Sequence, residues 1–225
     1  MELTRRAALI GACAAAVAPA AFAATAARRD FRIMRGSADV GRHTVALTRQ
    51  GDVLEAQIDV EIVVRVLGIA AYRYEMSNRE RWRGGLLQSM DSRVNDDGRR
   101  KRVRVTRDGA GLTVASDFYN GPAPSDAATT TYFTTDFLRR GAWISTDSGE
   151  LYSMAIAPAG KAQVETGGGA VEAARWRATN GSDFDVTLFY DPRGEWASVA
   201  FDAGGEQAMY RPENLDDSFM AVWNG

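Results

Sequence analysis

The sequence has little of what builds the common catalytic and metal sites. Its 225 residues include one cysteine, Cys13, and one histidine, His43. A single cysteine excludes an intramolecular disulfide and a thiolate metal centre, and a single histidine excludes a histidine cluster. Only a site of oxygen ligands, as for calcium, stays open, so we predict no metal and no cofactor.

The chain also lacks an excess of charge of either sign. It has 27 basic and 29 acidic side chains, for a formal net charge of −2. A nucleic-acid-binding surface needs a basic excess, so no nucleic-acid partner is predicted. Beyond the first 23 residues no apolar run is long and uncharged enough for a transmembrane helix.

The N-terminus has the pattern of an export signal. Arg5 and Arg6 precede a continuous apolar run over residues 7–18, and Pro19 follows that run. Residues 21–23 read Ala-Phe-Ala, the small-x-small pattern that signal peptidase accepts. The run is too short and too rich in alanine for a membrane anchor, which needs about 20 strongly apolar residues.

We therefore predict a cleavable signal peptide over residues 1–23, with a single antiparallel β domain over residues 24–225. The expected location is the periplasm or the medium. Residues 4–9 resemble a twin-arginine signal, with an ordinary secretory signal as the alternative. Residues 10–13 loosely resemble a lipoprotein box that would lipidate Cys13.

The clearest structural pattern is a strict alternation over residues 53–67. Apolar residues occupy every second position between mostly charged or polar ones, which predicts a strand with one buried and one solvated face. At about 3.3 Å per residue the segment would span roughly 50 Å, so we expect it to cross a strongly curved sheet. The alternating apolar residues are Leu54, Ala56, Ile58, Val60, Ile62, Val64 and Val66.

Short stretches rich in β-formers recur between turn signals along the rest of the chain. This rhythm predicts an all-β fold, a single curved antiparallel sheet forming a barrel or an open half-barrel. At most one or two short helices are expected, one of them over residues 134–141, and residues 120–131 are predicted to be a loop. The predicted strands cover residues 42–49, 102–107, 112–116, 151–157, 171–179, 185–190 and 196–202.

Polar motifs outside this pattern favour structural roles. His43 lies within a strand pattern without a nucleophile-elbow motif, which indicates a hydrogen-bonded strand histidine rather than a catalytic base. Residues 95–98, Asn-Asp-Asp-Gly, are typical of a hairpin turn rather than a calcium loop. The basic run over residues 99–102 either binds phosphate or lipid headgroups or protects a solvated strand edge, and we favour the edge.

An aromatic and acidic set is the candidate binding site. If the set surrounds one concave face, it lines a pocket for an apolar ligand; otherwise it is an ordinary sheet core. Four members share one face of an extended segment, and four come from a later hairpin and the strand before it. In chain order they are Tyr72, Tyr74, Glu80, Trp82, Trp176, Tyr190, Asp191 and Trp196.

Residues 72–75 and 80–86, the turn at 95–98 and residues 189–191 ahead of 194–196 resemble a family of uncharacterised exported proteobacterial proteins, a domain of unknown function. The resemblance brings no activity with it. The family looks similar in architecture to envelope lipoprotein carriers, in which a half-barrel surrounds a hydrophobic cavity. Architecture alone does not fix function.

Three hypotheses follow. The first is a periplasmic protein that binds or carries an apolar or lipid-like ligand in the cavity of the curved sheet. The second is a lyase or glycan hydrolase with Glu80 and Asp191 as acid and base, since both lie beside aromatic residues that raise a carboxylate's pKa. The third is a ligand-free envelope interaction protein with an exposed apolar patch. We favour the first.

Overall fold

The computed structural model describes residues 25–225. The predicted signal peptide over residues 1–23 and the candidate lipidation site Cys13 lie outside the described residues. None of the helices in the described part of the chain is long and apolar enough to span a membrane.

Most of this part of the chain forms one antiparallel sheet. Its strands are β1 (Thr25–Arg35), β2 (Ala38–Gln50), β3 (Val53–Val66), β4 (Ile69–Arg83), β5 (Leu86–Asp96), β6 (Arg99–Asp108), β7 (Gly111–Ser116), β8 (Asn120–Ala123), β12 (Ala155–Thr166), β13 (Gly169–Thr179), β14 (Asp185–Tyr190), β15 (Trp196–Asp202) and β16 (Gln207–Pro212). Their order is β12-β13-β14-β15-β16-β1-β2-β3-β4-β5-β6-β7-β8.

The sheet is curved but not closed, with β12 and β8 at its two edges. This confirms the predicted all-β class in its open half-barrel form. Register shifts interrupt the pairing of β1 with β2 after Ile33, of β3 with β4 after Val64 and of β4 with β5 after Arg81. Such irregularities bend strands and increase their twist, so they help the long central strands to follow the curve.

The alternation over residues 53–67 forms a single long strand, β3, that ends at Val66. Towards that end the prediction fails, because Ile62 and Val64 are only partly buried and Val66 is exposed. Leu54, Ala56, Ile58 and Val60 are buried on the inner face, while Glu55 and its outward neighbours meet solvent. Residues 95–98 form the predicted turn, with Asp97 at φ +50° and Gly98 at φ +91°. Both central residues need positive φ in the tight hairpin turns that match strand twist.

A smaller layer lies against the inner face of the large sheet. It consists of β9 (Ala128–Thr129), β10 (Ala142–Ile144) and β11 (Leu151–Ser153), with the 3₁₀ helix η1 (Thr135–Arg139) between β9 and β10. The helix agrees with the prediction for residues 134–141. The loop predicted over residues 120–131 instead contains β8, which pairs with β7 at the sheet edge, and β9, whose Ala128 is buried.

One end of the curved sheet is filled with aromatic side chains. We call it the plugged end; the β2–β3 turn and the β4–β5 turn lie there, and the C-terminal helix α1 (Ser218–Asn224) covers it. Arg49 of β2 donates hydrogen bonds to the carbonyls of Val222 and Trp223 in α1. The packed rings are Trp82, Phe133, Phe137 and Trp223.

Candidate functional site

The opposite end of the sheet, which we call the open end, contains a cavity of about 490 Å³. The β3–β4 and β5–β6 turns lie at this end. Strands β2, β3, β4, β15 and β16 supply one side of the wall, and residues 130–152 of the inner layer supply the other. Aromatic members of the lining are Tyr72, Tyr74, Phe118, Tyr132, Tyr152, Phe184, Phe201 and Tyr210.

His43 forms part of the cavity wall and is the most unusual group in it. The side chain is buried, and neither Nδ1 nor Nε2 has a hydrogen-bond partner among residues 25–225. This differs from the predicted hydrogen-bonded strand histidine. The ring packs edge-on against Phe31, Trp196 and Tyr210, at centroid distances of 5.8, 5.4 and 5.1 Å.

Burial among these rings lowers the pKa of His43 to about 3. The imidazole is therefore neutral at physiological pH, with one nitrogen as donor and the other as acceptor. An unpaired buried polar group costs about 1–3 kcal/mol.

A polar cluster at the rim joins the sheet to the inner layer. Tyr74 donates its hydroxyl to Asp147 at 3.1 Å, and Tyr72 donates to Asp96 at 2.8 Å. Lys101 bridges the two carboxylates, 2.7 Å from Asp147 and 3.1 Å from Asp96. Burial opposes the charge on Lys101, but its bonds to Asp147 and Asp96 raise its pKa, so the ammonium group stays charged.

The wall opposite the sheet is polar, and its own hydrogen bonds fix it. Residues 145–150 read Ser-Thr-Asp-Ser-Gly-Glu; the hydroxyl of Thr146 lies 3.0 Å from that of Thr130, and Ser148 donates to Glu150 at 2.8 Å. Gly149 has φ +79°, and a Cβ there would lie 2.6 Å from Ser116 Oγ. The segment approaches β7 closely only because this residue is glycine.

Tyr132 carries backbone strain at the cavity. Its φ is +61°, a conformation that bulky residues rarely adopt and that costs about 1–3 kcal/mol. The strain is held in place because Tyr190 donates its hydroxyl to the Tyr132 carbonyl at 2.7 Å, while the Tyr132 ring packs on Trp143 and Trp196. Strain of this kind concentrates at ligand-binding and active sites.

A second, more apolar chamber of about 510 Å³ adjoins the first. The two share Ile62, Tyr72 and Phe201, so they form neighbouring compartments inside the open end. The remaining lining of the second chamber is largely aliphatic and includes Ile33, Val40, Val64 and Ala208. One compartment thus offers aromatic and hydrogen-bonding groups, and the other offers mainly hydrocarbon.

The structure divides the eight predicted site residues between the two ends of the sheet. Tyr72 and Tyr74 line the cavity. Trp196 lies behind it as a packing partner of His43, and Tyr190 supports it through the backbone of Tyr132.

The other four lie elsewhere. Glu80 and Trp82 are buried towards the plugged end, and Trp176 of β13 is half-buried against the core. Asp191 is in the β14–β15 turn, where it accepts hydrogen bonds from Arg193. Glu80 accepts from Asn78 and Trp82, so it shares no bonding partner with Asp191.

Sequence reasoning missed several cavity residues. His43 was assigned a structural role, and Lys101 was treated only as part of a basic run. Tyr132, Tyr210 and the 145–150 segment were not singled out. Only its composition marks the 145–150 segment in the sequence. Six consecutive hydrogen-bonding or glycine residues separate the short runs that form β10 and β11.

Glu80 makes folding dependent on pH in a testable way. Burial raises its pKa to about 7, although bonds from Asn78 and Trp82 lower it in part. Because the folded pKa is above the unfolded value of about 4.3, the stabilisation is present at low pH and is lost as pH rises from about 4 to 7. At about 1.36 kcal/mol per pH unit, the loss is about 4 kcal/mol.

We expect Glu80→Gln to remove this pH dependence and to be the more stable protein at pH 8. Urea unfolding at pH 5 and pH 8 measures the difference. Glu55→Gln is the control, because Glu55 is an exposed carboxylate on the neighbouring strand. An unchanged pH slope in Glu80→Gln would show that the carboxyl is not held protonated.

Comparisons with known proteins match this architecture. A family model described as "Domain of unknown function (DUF6134)" matches residues 31–213. No curated protein matches the sequence. Among solved structures, the chain is similar to the crystal structure of a β-barrel-like protein of domain of unknown function DUF1849 from Brucella abortus, with a TM-score of 0.61 at 8% identity.

That alignment covers 84% of this chain and 96% of the Brucella protein. At this identity the likeness bears on the fold alone. The family match confirms the predicted resemblance to a domain of unknown function, and the structural neighbour confirms the barrel-like architecture.

Proposed function

The chain belongs to the DUF6134 family, and we propose that the protein binds a small amphipathic, lipid-like molecule in the cavity at the open end. The family description names no activity, so the cavity is the basis of the proposal. The observation that carries the proposal is the pair of adjoining compartments at the open end, one aromatic and hydrogen-bonding and the other mainly aliphatic. Pockets for small ligands are mostly apolar, with a few oriented polar groups.

The two compartments suit the two parts of such a ligand. Each is within the range of about 300–1,000 Å³ that is typical of small-molecule sites. The hydroxyl-rich wall over residues 145–150 offers donors and acceptors to a polar headgroup. The aliphatic chamber beside Ile62 and Val64 offers burial to a hydrocarbon part, at about 0.8 kcal/mol for each CH₂ group.

The same geometry gives less support to the enzyme hypothesis. A general base works through a hydrogen bond to its proton source and is oriented by a third group. The ring of His43 contacts aromatic side chains, and no described carboxylate orients it. Glu80 and Asp191 are held in separate hydrogen-bonding clusters, so we favour binding over acid–base catalysis.

We further propose that the protein works after export, in the periplasm or as a secreted protein. The support is the N-terminal sequence alone, with Arg5 and Arg6 ahead of the apolar run over residues 7–18 and the Ala-Phe-Ala site at 21–23. N-terminal sequencing of the protein isolated from cell fractions tests this. A start at residue 24 in the periplasmic fraction is expected, and an intact cytoplasmic chain would contradict it.

Filling the cavity tests the binding proposal. Ile62 faces both chambers, and the next residue, Val63, faces the outer side of β3. We expect Ile62→Trp to weaken binding of a fluorescent fatty-acid probe at least tenfold, since displacing two CH₂ groups costs about 1.6 kcal/mol. Val63→Trp is the matched control and should bind as the wild type does. Equal affinity of all three proteins would place the probe outside the cavity.

A further inference from the structure

The tip of the β3–β4 hairpin is an exposed apolar projection at the open end. Val66, Leu67 and Ile69 are 58%, 98% and 74% exposed. They are consecutive except for Gly68, so they form one continuous apolar surface. Single exposed apolar residues need no explanation, but three together at the end of a projecting hairpin mark an interaction site.

The conformation of the turn indicates that Leu67 does not stabilise the fold. Leu67 and Gly68 have φ of +51° and +84°, the same conformation as Asp97 and Gly98 in the neighbouring β5–β6 turn, at +50° and +91°. Tight turns of this kind favour Asn, Asp or Gly at the first central position, as the β5–β6 turn has. Leu67 combines an unfavourable backbone conformation with almost complete exposure to water.

Two arginines lie within the hairpin on either side of the tip, Arg65 on β3 and Arg73 on β4, and residues 62–74 contain no acidic residue. Arg73 is paired with Glu75 on its own strand, whereas Arg65 forms no ion pair within residues 25–225. The hairpin itself therefore carries positive charge.

We propose that the β3–β4 hairpin tip docks the protein on an anionic lipid membrane, with Val66, Leu67 and Ile69 inserted among the acyl chains and Arg65 and Arg73 at the headgroups. Apolar residues beside a basic surface are the pattern of proteins that lie on membranes. A second copy fits less well, because a stable interface buries about 1,200–2,000 Å² and two such tips would bring their arginines together.

The position of the tip relates it to the cavity. Val64 and Tyr72, at the base of the same hairpin, line the aliphatic chamber. Tyr72 is also 36% exposed, as an aromatic residue at a membrane–water interface would be. Docking would thus bring the chamber to the lipid surface. The docking proposal does not depend on what the cavity holds, and the two are tested by different readouts.

Flotation with vesicles of phosphatidylglycerol and phosphatidylcholine tests the docking. The wild type should bind these vesicles more strongly than vesicles of phosphatidylcholine alone. Leu67→Asn should reduce binding about tenfold or more, because one inserted leucine side chain is lost. Arg65→Gln and Arg73→Gln should each reduce it about fivefold, the effect of roughly one basic residue near an anionic surface.

Leu67→Asn is informative because asparagine suits the turn. Its melting temperature should be no lower than that of the wild type, so a loss of binding cannot result from unfolding. Leu86→Asn is the control, since Leu86 is an exposed leucine beside the β4–β5 turn at the plugged end. It should bind vesicles as the wild type does.

Three results would overturn the proposal. The wild type fails to bind anionic vesicles, or Leu67→Asn binds them equally well, or sedimentation without lipid shows a dimer that Leu67→Asn dissociates. The last result would identify a second copy as the partner of the tip. Fatty-acid probe binding by Leu67→Asn in solution reports on the cavity separately and should equal that of the wild type.

Discussion

Replacing Arg29 by methionine is expected to lower the free energy of unfolding by about 3–5 kcal/mol, the cost of leaving a buried charge without its partner. Arg29 on β1 is fully buried, and its Nη2 lies 3.0 Å from Glu195 Oε2 and 3.2 Å from Asp216 Oδ1. It also donates to the carbonyl of Trp196 at 3.1 Å and lies over the ring of Phe219.

The effect is large because Glu195 stays behind without its counter-charge. Burial already raises the pKa of Glu195, even with Arg29 and the Met220 amide as partners. The same guanidinium connects β1 to the start of β15 and to the residues just before α1, so its loss also loosens the plugged end. Urea unfolding at pH 7 measures the change.

A surface pair and a double variant separate the causes. Arg177→Met breaks the exposed pair with Asp185 and should change stability far less, because water screens that pair. Arg29→Met combined with Glu195→Leu should recover much of the loss, because the remaining partner, Asp216, is half exposed and its carboxylate stays solvated. If Arg29→Met costs no more than Arg177→Met, the buried pair does not hold the plugged end together.

His43→Phe is expected to make the protein resistant to acid. The folded pKa of His43, about 3, is below the unfolded value of about 6.5, so its neutral form stabilises the fold above pH 6.5. That stabilisation falls as pH decreases through this window. At pH 4.5 the wild type should have lost about 3 kcal/mol through this residue, and His43→Phe should have lost none of it.

The comparison is clean because the groups facing the ring are uncharged. They are Phe31, Trp196 and Tyr210, together with Val60 on the adjacent strand. Equilibrium unfolding at pH 7.5 and pH 4.5 gives the two differences in free energy. If the wild type and His43→Phe lose the same free energy of unfolding between pH 7.5 and pH 4.5, the imidazole is protonated inside the fold. Glu80 has the opposite pH dependence, so its variant reports on a separate process.

The long central strands were predictable because their burial alternates strictly. β3 packs one face on the interior along most of its length, so apolar and polar residues alternate in its sequence. β1 was not predicted, because one of its inward positions is Arg29, a residue type that usually faces solvent. Only the structure shows that Glu195 pairs with it inside the protein. α1 has seven residues and no side-chain cap, so it forms only because Phe219 and Trp223 pack on the plugged end.

The sequence predicted only part of the candidate site, and the reason is geometric. Tyr72, Tyr74, Glu80 and Trp82 do share one face of β4. Ten residues of extended chain span about 33 Å, so that one face serves both the open end and the plugged end. The alternation shows which side chains point inward. Which of them line the cavity depends on what lies opposite, namely β16 and the 145–150 segment, and the alternation does not show that. His43 was missed because its neighbours come from β1, β15 and β16.

Native mass spectrometry of the protein purified without detergent, followed by organic extraction, tests the central claim most directly. We expect one amphipathic molecule bound per chain in the wild type and in the Val63→Trp control, and none in Ile62→Trp. An unliganded mass for all three proteins, together with no uptake of fatty-acid probes by the wild type, would contradict the assignment of the cavity as a ligand-binding site.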